Sequence, residues 1–319
     1  MVTIDLITGF LGSGKTTFLK KYAEYLMDQG LHIGILENDF GAINVDMLML
    51  HELRGDQCEL EMIAGGCDAE SHRRRFRTKL ISMRMCGYDR VLVEPSGIYD
   101  VDEFFDVLRE EPLDQWFEIG NVIAILDARL EDNLSQQADY LLASEAANAG
   151  KVILSHADAA TREQCEDTVA HLNRALEQIR CDRRIDPEKD ILQINLTDLT
   201  KEDLEEVSKC GYRLESYRKM DLENDQTFDS LFFMEEKITS EALERAVPRL
   251  FADKSCGEVF RIKGFVKNKD GQWMELNATH DSRTLEPIAV GQEVLIVIGE
   301  HLQEDKIREI LKEEETCQS

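Results

Sequence analysis

The chain is short of positive charge. Against 64 aspartates and glutamates it carries 37 lysines and arginines, a formal net charge of −27 over 319 residues. A surface of that sign repels DNA, RNA and anionic membranes, so neither a nucleic-acid nor a membrane partner is expected. No apolar run approaches the roughly 20 residues that cross a bilayer. Met-Val-Thr-Ile leads straight into a strand pattern without a charged-then-apolar leader, and no signal peptide is expected. The 8 cysteines lack the regular pairing of a secreted disulfide scaffold, which predicts reduced thiols and a cytoplasmic protein. No internal repeat is visible. What is present is a hydrophobic fraction of 43%, ordinary for a chain able to bury a sizeable core, in a length that suits about two domains.

The first of those domains opens on the stretch that organises the rest. Gly9-Phe10-Leu11-Gly12-Ser13-Gly14-Lys15-Thr16-Thr17 fits the spacing G-x-x-x-x-G-K-[ST], with an apolar strand pattern before it and a helical one after it. Glycines there let backbone N–H groups turn inward on phosphate oxygens, and the helix N-terminus adds partial positive charge. Gly12, Ser13, Gly14, Lys15, Thr16 and Thr17 are therefore nucleotide-binding candidates. Lys15 is expected at the β/γ-phosphates and Thr16 on Mg²⁺. Beyond a second strand at 32–36, Glu37 and Asp39 are carboxylates at a strand's C-terminal end, where α/β sheets place their ligands. A third strand, Arg90–Glu94, ends in an acid in the Walker B manner, so Glu94 joins Thr16 as a Mg²⁺ candidate, with Gly97 offering an N–H to the γ-phosphate. A fifth strand runs into Ser155-His156-Ala157-Asp158, where a carboxylate can accept from guanine's N1–H and N2–H₂.

Strands alternating with helices predict a mostly parallel α/β sheet with helices on both faces, over 1–214. Residues 47–64 read as irregular, and 215–231 as a polar linker. A smaller α+β domain is expected over 232–319, from a helix at 239–251, an alternating strand at 258–266, strands at 273–278 and 293–299, and a closing helix. His72-Arg73-Arg74-Arg75-Phe76-Arg77 stands out in so acidic a chain; one solvated helix face is the favoured reading, partner or phosphate binding the other.

With these residues placed, the chain resembles the CobW family of P-loop GTPases, relatives of the GTPases that deliver nickel to urease and hydrogenase. Gly9–Thr17 is similar to the family's G-F-L-G-[AS]-G-K-T-T, Asn38-Asp39-Phe40-Gly41 to its N-E-F-G segment, Glu94-Pro95-Ser96-Gly97 to its E-T-S-G, and Cys256–Phe265 to the strand opening its C-terminal domain. The resemblance implies GTP hydrolysis with Mg²⁺, and metal chaperoning with zinc as the best supported cargo. It also implies catalytic roles for Lys15, Asp39 and Glu94, and nucleotide contacts from Ser155, His156 and Asp158. Two departures qualify it. The family's C-x-C-C metal motif is here Cys67-Asp68-Ala69-Glu70, leaving Cys67 and Glu70 as a weaker, less selective candidate pair for Zn²⁺ or Co²⁺ that Cys58, Asp68 or His72 would have to complete. The usual N-K-x-D is Ser155-His156-Ala157-Asp158, which keeps the guanine-reading acid and sets an imidazole where a lysine stem packs along the base.

The leading expectation is a GTP/GDP switch that helps load a metal or metal cofactor into a client metalloenzyme. The second is a GTPase that remodels a client, such as a corrinoid-dependent protein, without carrying metal. A small-molecule kinase is a third reading, which would need the arginine cluster as a lid. Whether the chain forms a homodimer is left open.

Overall fold

Val-Thr-Ile-Asp-Leu-Ile-Thr, rich in β-branched residues, forms the central strand β1 (Val2–Thr8) of a parallel sheet in the computed structural model. The structure describes residues 1–10, 12–39, 50–64, 69–95, 101–130, 132, 134–219, 229–234, 238–280, 283–289 and 291–316. They fall into two compact units, Met1–Met220 and Asp221–Ser319.

In the first unit β1 is followed by α1 (Lys15–Asp28), β2 (Ile33–Asp39), β3 (Cys58–Ala64), α2 (Ala69–Met85), β4 (Arg90–Pro95), α3 (Val101–Leu108), α4 (Leu113–Trp116), β5 (Phe117–Asp127), α5 (Gln136–Ala147), β6 (Lys151–Ser155), α6 (Arg162–Gln178), β7 (Ile191–Gln193) and α7 (Lys201–Val207). The strand order is β3-β2-β4-β1-β5-β6-β7, and the pairings are parallel throughout. A parallel sheet needs cover on both faces, and β4 from Val91 and β6 along its length are buried at successive residues, so both faces are covered. One face packs Ile7, Ile35, Leu92, Ile125 and Ile153 against Phe18, Leu19 and Tyr22 of α1 and Leu204 and Val207 of α7.

The helix starts divide into two kinds. Ser135, Thr161 and Thr200 cap α5, α6 and α7 with side-chain oxygens, the last two in full capping boxes. α1 begins instead at Gly14 in the left-handed conformation, φ +90°, with no side-chain cap. Its first N–H groups are left for another acceptor.

Residues 58–64, read from the sequence as irregular, form β3. Glu59 and Glu61 alternate with apolar neighbours, the pattern of a strand with one side toward water at the end of a sheet. β5 begins at Phe117, five residues ahead of Val122, where the continuous apolar run of the sequence starts.

The second unit is an antiparallel sheet ordered β11-β10-β9-β12-β8, with β8 (Asp229–Met234), β9 (Glu258–Lys267), β10 (Trp273–Ala278), β11 (Arg283–Pro287) and β12 (Val294–Glu300). Helices α8 (Ser240–Ala252) and α9 (Glu304–Thr316) pack on it through Leu243, Val247, Leu250, Ile307 and Ile310. The end of the 215–231 segment belongs to β8, where Leu231 pairs with Val297. Its first residues lie with the first unit: Arg218 N–H donates to Ile179 O at 2.7 Å. Pro248 lies inside α8 and cannot bond the Glu244 carbonyl; Arg283 Nη1 donates to that oxygen instead, at 2.8 Å.

Candidate nucleotide site

The loop between β1 and α1 can only be built from glycine at its ends. A side chain on Gly9 would meet Ile125 O at 2.1 Å, and one on Gly14 would meet Leu196 Cδ1 at 2.7 Å. Gly14 also holds φ +90°, which disfavours any Cβ. The result is a tight cradle against β5. Ser13 is buried in it with no hydrogen-bond partner for its Oγ. A buried unpaired hydroxyl, an uncapped helix start and a cradle that a Cβ would fill together fit a phosphate group. Lys15 is buried here, and its Nζ donates to Gly9 O at 2.7 Å and Phe10 O at 3.4 Å.

Thr16 Oγ1 donates to Glu94 Oε1 at 2.8 Å, across 78 positions of sequence. The pair forms because β4 lies beside β1, so the end of β4 faces the start of α1. Glu37 stands level with Glu94 in the β2–β4 register, and both carboxylates are buried, at 2% and 4% exposure. A hydroxyl beside two buried carboxylates is an oxygen donor set suited to a hard cation such as Mg²⁺. Asp39 closes β2; its side chain, like all of Gly97 and Cys67, lies outside the described residues.

A second cluster sits where β5 and β6 end. Ser155 Oγ donates to Leu126 O at 3.1 Å, tying the two strands. His156 adopts φ +53°, and its Nδ1 lies 2.8 Å from Asp127 Oδ2. Burial pushes the Asp127 carboxyl up, but hydrogen bonds from His156 and from the Arg129 side chain and backbone outweigh it and hold it below its ordinary value. An ionised Asp127 accepts, so Nδ1 carries the proton. Asp158 is exposed two residues on. Asp127 escaped the sequence reading, although the rule that singled out Glu37 and Glu94, an acid ending a strand, describes it equally.

Glu145 escaped as well. It is fully enclosed in α5 with neither carboxylate oxygen hydrogen-bonded. Burial pushes its carboxyl up to about 8 against the pull of the Lys15 charge.

Of the companions considered for Cys67, Asp68 lies outside the described residues, as Cys67 does. Glu70 is exposed at the start of α2. Cys58 lies in the core beneath α1, where burial, with the Glu59 charge, pushes its thiol up to about 11. His72 is buried with Nδ1 3.1 Å from Glu103 Oε1. Among the described residues no group of three or more His, Cys, Asp or Glu side chains is arranged to hold a metal ion.

A parallel sheet with a glycine cradle leading from β1 into α1, and an acid at the end of the neighbouring strand, defines a P-loop nucleotide-binding protein. Known proteins narrow this. The CobW/HypB/UreG nucleotide-binding domain matches residues 3–185, and the cobalamin synthesis protein cobW C-terminal domain matches residues 229–314. The chain belongs to the CobW family. It is similar to zinc chaperone YjiA of Escherichia coli (strain K12), 29% identical over 186 residues, 54% of this chain and 55% of that protein. It is also similar to zinc chaperone YeiR of the same organism, 28% identical over 164 residues, 51% of this chain and 49% of that protein. The chain thus spans about half the length of these curated relatives. Among solved structures, Zn(II)-bound YjiA GTPase from E. coli aligns over 98% of both chains at 18% identity, with a TM-score of 0.37. No helix among the described residues is long and apolar enough to cross a membrane.

Proposed function

We propose that this protein binds and slowly hydrolyses GTP, and that it uses the cycle to assist delivery of a metal or metal-containing cofactor to a client protein. The observation that carries the reading is the Thr16–Glu94 contact beside the Gly9–Gly14 cradle. In this reading Gly12, Ser13, Gly14 and Thr17 take the phosphates. Thr16 and Glu94 would hold Mg²⁺, which would supply neutralisation of the charge that develops on the phosphates. Lys15 leaves the Gly9 and Phe10 carbonyls to pair with the phosphate oxygens. Asp39 orients the attacking water, with Glu37 beside Glu94 as a further acid, and Gly97 contributes its N–H to the γ-phosphate. Asp158 reads the guanine edge, and His156, fixed by Asp127, lies along the base, with Ser155 joining the two strands beneath.

Zn²⁺ is the cargo favoured by the names of the relatives, both zinc chaperones; Co²⁺ is the other candidate. Cys67 and Glu70 would be its first ligands. A second reading, a GTPase that remodels a client such as a corrinoid-dependent protein without carrying metal, is favoured by the run Cys67-Asp68-Ala69-Glu70, which supplies one thiolate rather than three. A cytoplasmic location and a soluble client suit both. Whether two copies associate does not affect either reading.

Phosphate release from Mg²⁺–GTP, and competition titration of Zn²⁺ and Co²⁺ against a chromophoric chelator, test this together. Thr16→Ala and Glu94→Gln should lower hydrolysis on the order of 100-fold, as expected when a group stabilising developing charge is lost. Nucleotide-dependent, one-to-one metal binding that disappears in Cys67→Ser would support the chaperone. Binding indifferent to nucleotide and to Cys67 would leave the remodelling reading, and hydrolysis unchanged in both Thr16 and Glu94 variants would sink the proposal.

A further inference from the structure

The core under α5 holds a carboxyl group that no hydrogen bond stabilises. Glu145 is fully enclosed, and among the described residues neither of its oxygens has a hydrogen-bond partner. A buried carboxylate without donors is among the costliest groups a core can hold. The other charged groups around it are engaged elsewhere. α5 packs against α6 and α3. On α6, His171 Nε2 lies 2.6 Å from Asp139 Oδ1 of α5, and the remaining charged residues are exposed. On α3, Asp102 and Asp106 face Lys219, and Glu103 meets His72. Arg183 Nη1 donates to Ala146 O and Ala147 O at the end of α5, at 2.6 and 2.9 Å. Lys151 of β6 donates to Glu206 Oε1 at 2.6 Å. Among the described residues, the charge that acts on Glu145 is that of Lys15.

Lys15 is itself buried, with Nζ on Gly9 O at 2.7 Å and on Phe10 O at 3.4 Å. Ser13 Oγ lies buried and unbonded in the same loop. Burial outweighs the pull of the ammonium and pushes the Glu145 carboxyl up to about 8. Phosphate oxygens in the cradle would shift that balance twice over. They draw the ammonium toward themselves, and they bring negative charge close to the acid. Both effects disfavour the carboxylate. Between buried groups, salt screens them little.

We propose that Glu145 is a positioning residue for Lys15: as the neutral acid it lets the ammonium move onto a phosphate, and as the carboxylate it holds the ammonium back. The inference rests on the nucleotide reading of the cradle and deepens it, because phosphate binding becomes linked to the uptake of a proton on α5. That proton comes from solvent and binds a Glu145 oxygen, and no bond of the nucleotide changes. The sign follows from the charges. Phosphate raises the Glu145 value, so the complex keeps its proton to higher pH than the nucleotide-free chain. Affinity therefore falls as pH rises past about 8, where the nucleotide-free chain loses a proton that the complex must regain. A glutamate serving only to fill space would show no such link.

The test is binding of Mg²⁺–GDP with a ribose fluorophore to the full chain across neutral and mildly alkaline pH. Calorimetry of the unlabelled nucleotide, in buffers of different ionisation enthalpy, counts the protons taken up. Wild-type affinity should weaken about tenfold from about pH 7 to about pH 9. At about pH 8 the wild type should take up about half a proton more than Glu145→Gln does. The glutamine is neutral and of the same shape, so its profile should be flatter. Titration of the nucleotide itself is common to both proteins and cancels in the comparison, and circular dichroism checks that the variant is folded. Parallel profiles with equal proton uptake in folded Glu145→Gln would overturn this inference and leave nucleotide binding intact. Where that variant does not fold, wild-type binding without proton uptake at about pH 8 would overturn it alone. Absence of GDP binding at every pH would instead remove the nucleotide reading, and this inference with it.

Discussion

Glu145 is a carboxyl group stored where water cannot reach it. Its ordinary value of 4.5 rises to about 8 because burial penalises the charged form more than Lys15 relieves it. Between those values the folded chain keeps a proton that the unfolded chain has released. Stability should therefore fall as pH rises from about 4.5 to about 8, by up to about 1.4 kcal/mol for each unit, and change no further on this account above that window. Urea unfolding across the range should show that slope in the wild type and a flatter one in Glu145→Gln. An unaltered slope in the variant would assign the pH dependence elsewhere. Asp127 carries the opposite sign: its depressed carboxyl adds stability at neutral pH that is lost as acid protonates it.

At the scale of elements, the helix that carries Lys15 and Thr16 is held by a buried polar knot at the opposite end of the sheet. Tyr22 of α1 donates to Asp5 Oδ2 of β1 at 2.8 Å, and Asn121 N of β5 donates to Asp5 Oδ1 at 2.8 Å. Arg90 of β4 places Nη1 3.3 Å from Asp5 Oδ2 and 3.1 Å from the Tyr22 hydroxyl. Burial holds the Asp5 carboxyl above its ordinary value, and Arg90, Tyr22 and Asn121 offset only part of that rise. Four elements thus meet on one carboxyl group. Tyr22→Phe removes a donor to it without changing the packing volume, and should cost roughly 1.5–3 kcal/mol. The measurement is the urea midpoint at constant m-value; a loss below about 0.5 kcal/mol, the floor for an ordinary hydrogen bond, would mean that Arg90 and Asn121 hold α1 unaided. None of this was legible in the sequence. Asp5 lies inside an apolar strand, and its partners are 17 to 116 positions away.

Across the whole molecule the excess of negative charge works against compactness. Raising salt from about 0.01 M to about 0.15 M shortens the screening length from roughly 30 Å to roughly 8 Å. The melting temperature should climb by about 2 °C or more, the shift that about 1 kcal/mol produces in domains of this size. A flat or falling midpoint would indicate that ion pairs such as Arg249 with Glu313 and Glu314 outweigh the repulsion. The sequence alone settled what local chemistry dictates. The glycine spacing of the P-loop, the acid ending β4 and the alternation of strands with helices each lie within a few neighbouring residues, so the fold class and most elements could be read directly. Edge strands were harder to see. β3 and β11 have one side in water, and their charged residues blur the apolar pattern that marks a buried strand. Only tertiary structure decided which distant residues meet: Thr16 with Glu94, His156 with Asp127, and Glu145 near Lys15. Those meetings depend on strand order and register, which arise from packing the two sheet faces and are encoded by no single stretch of the chain.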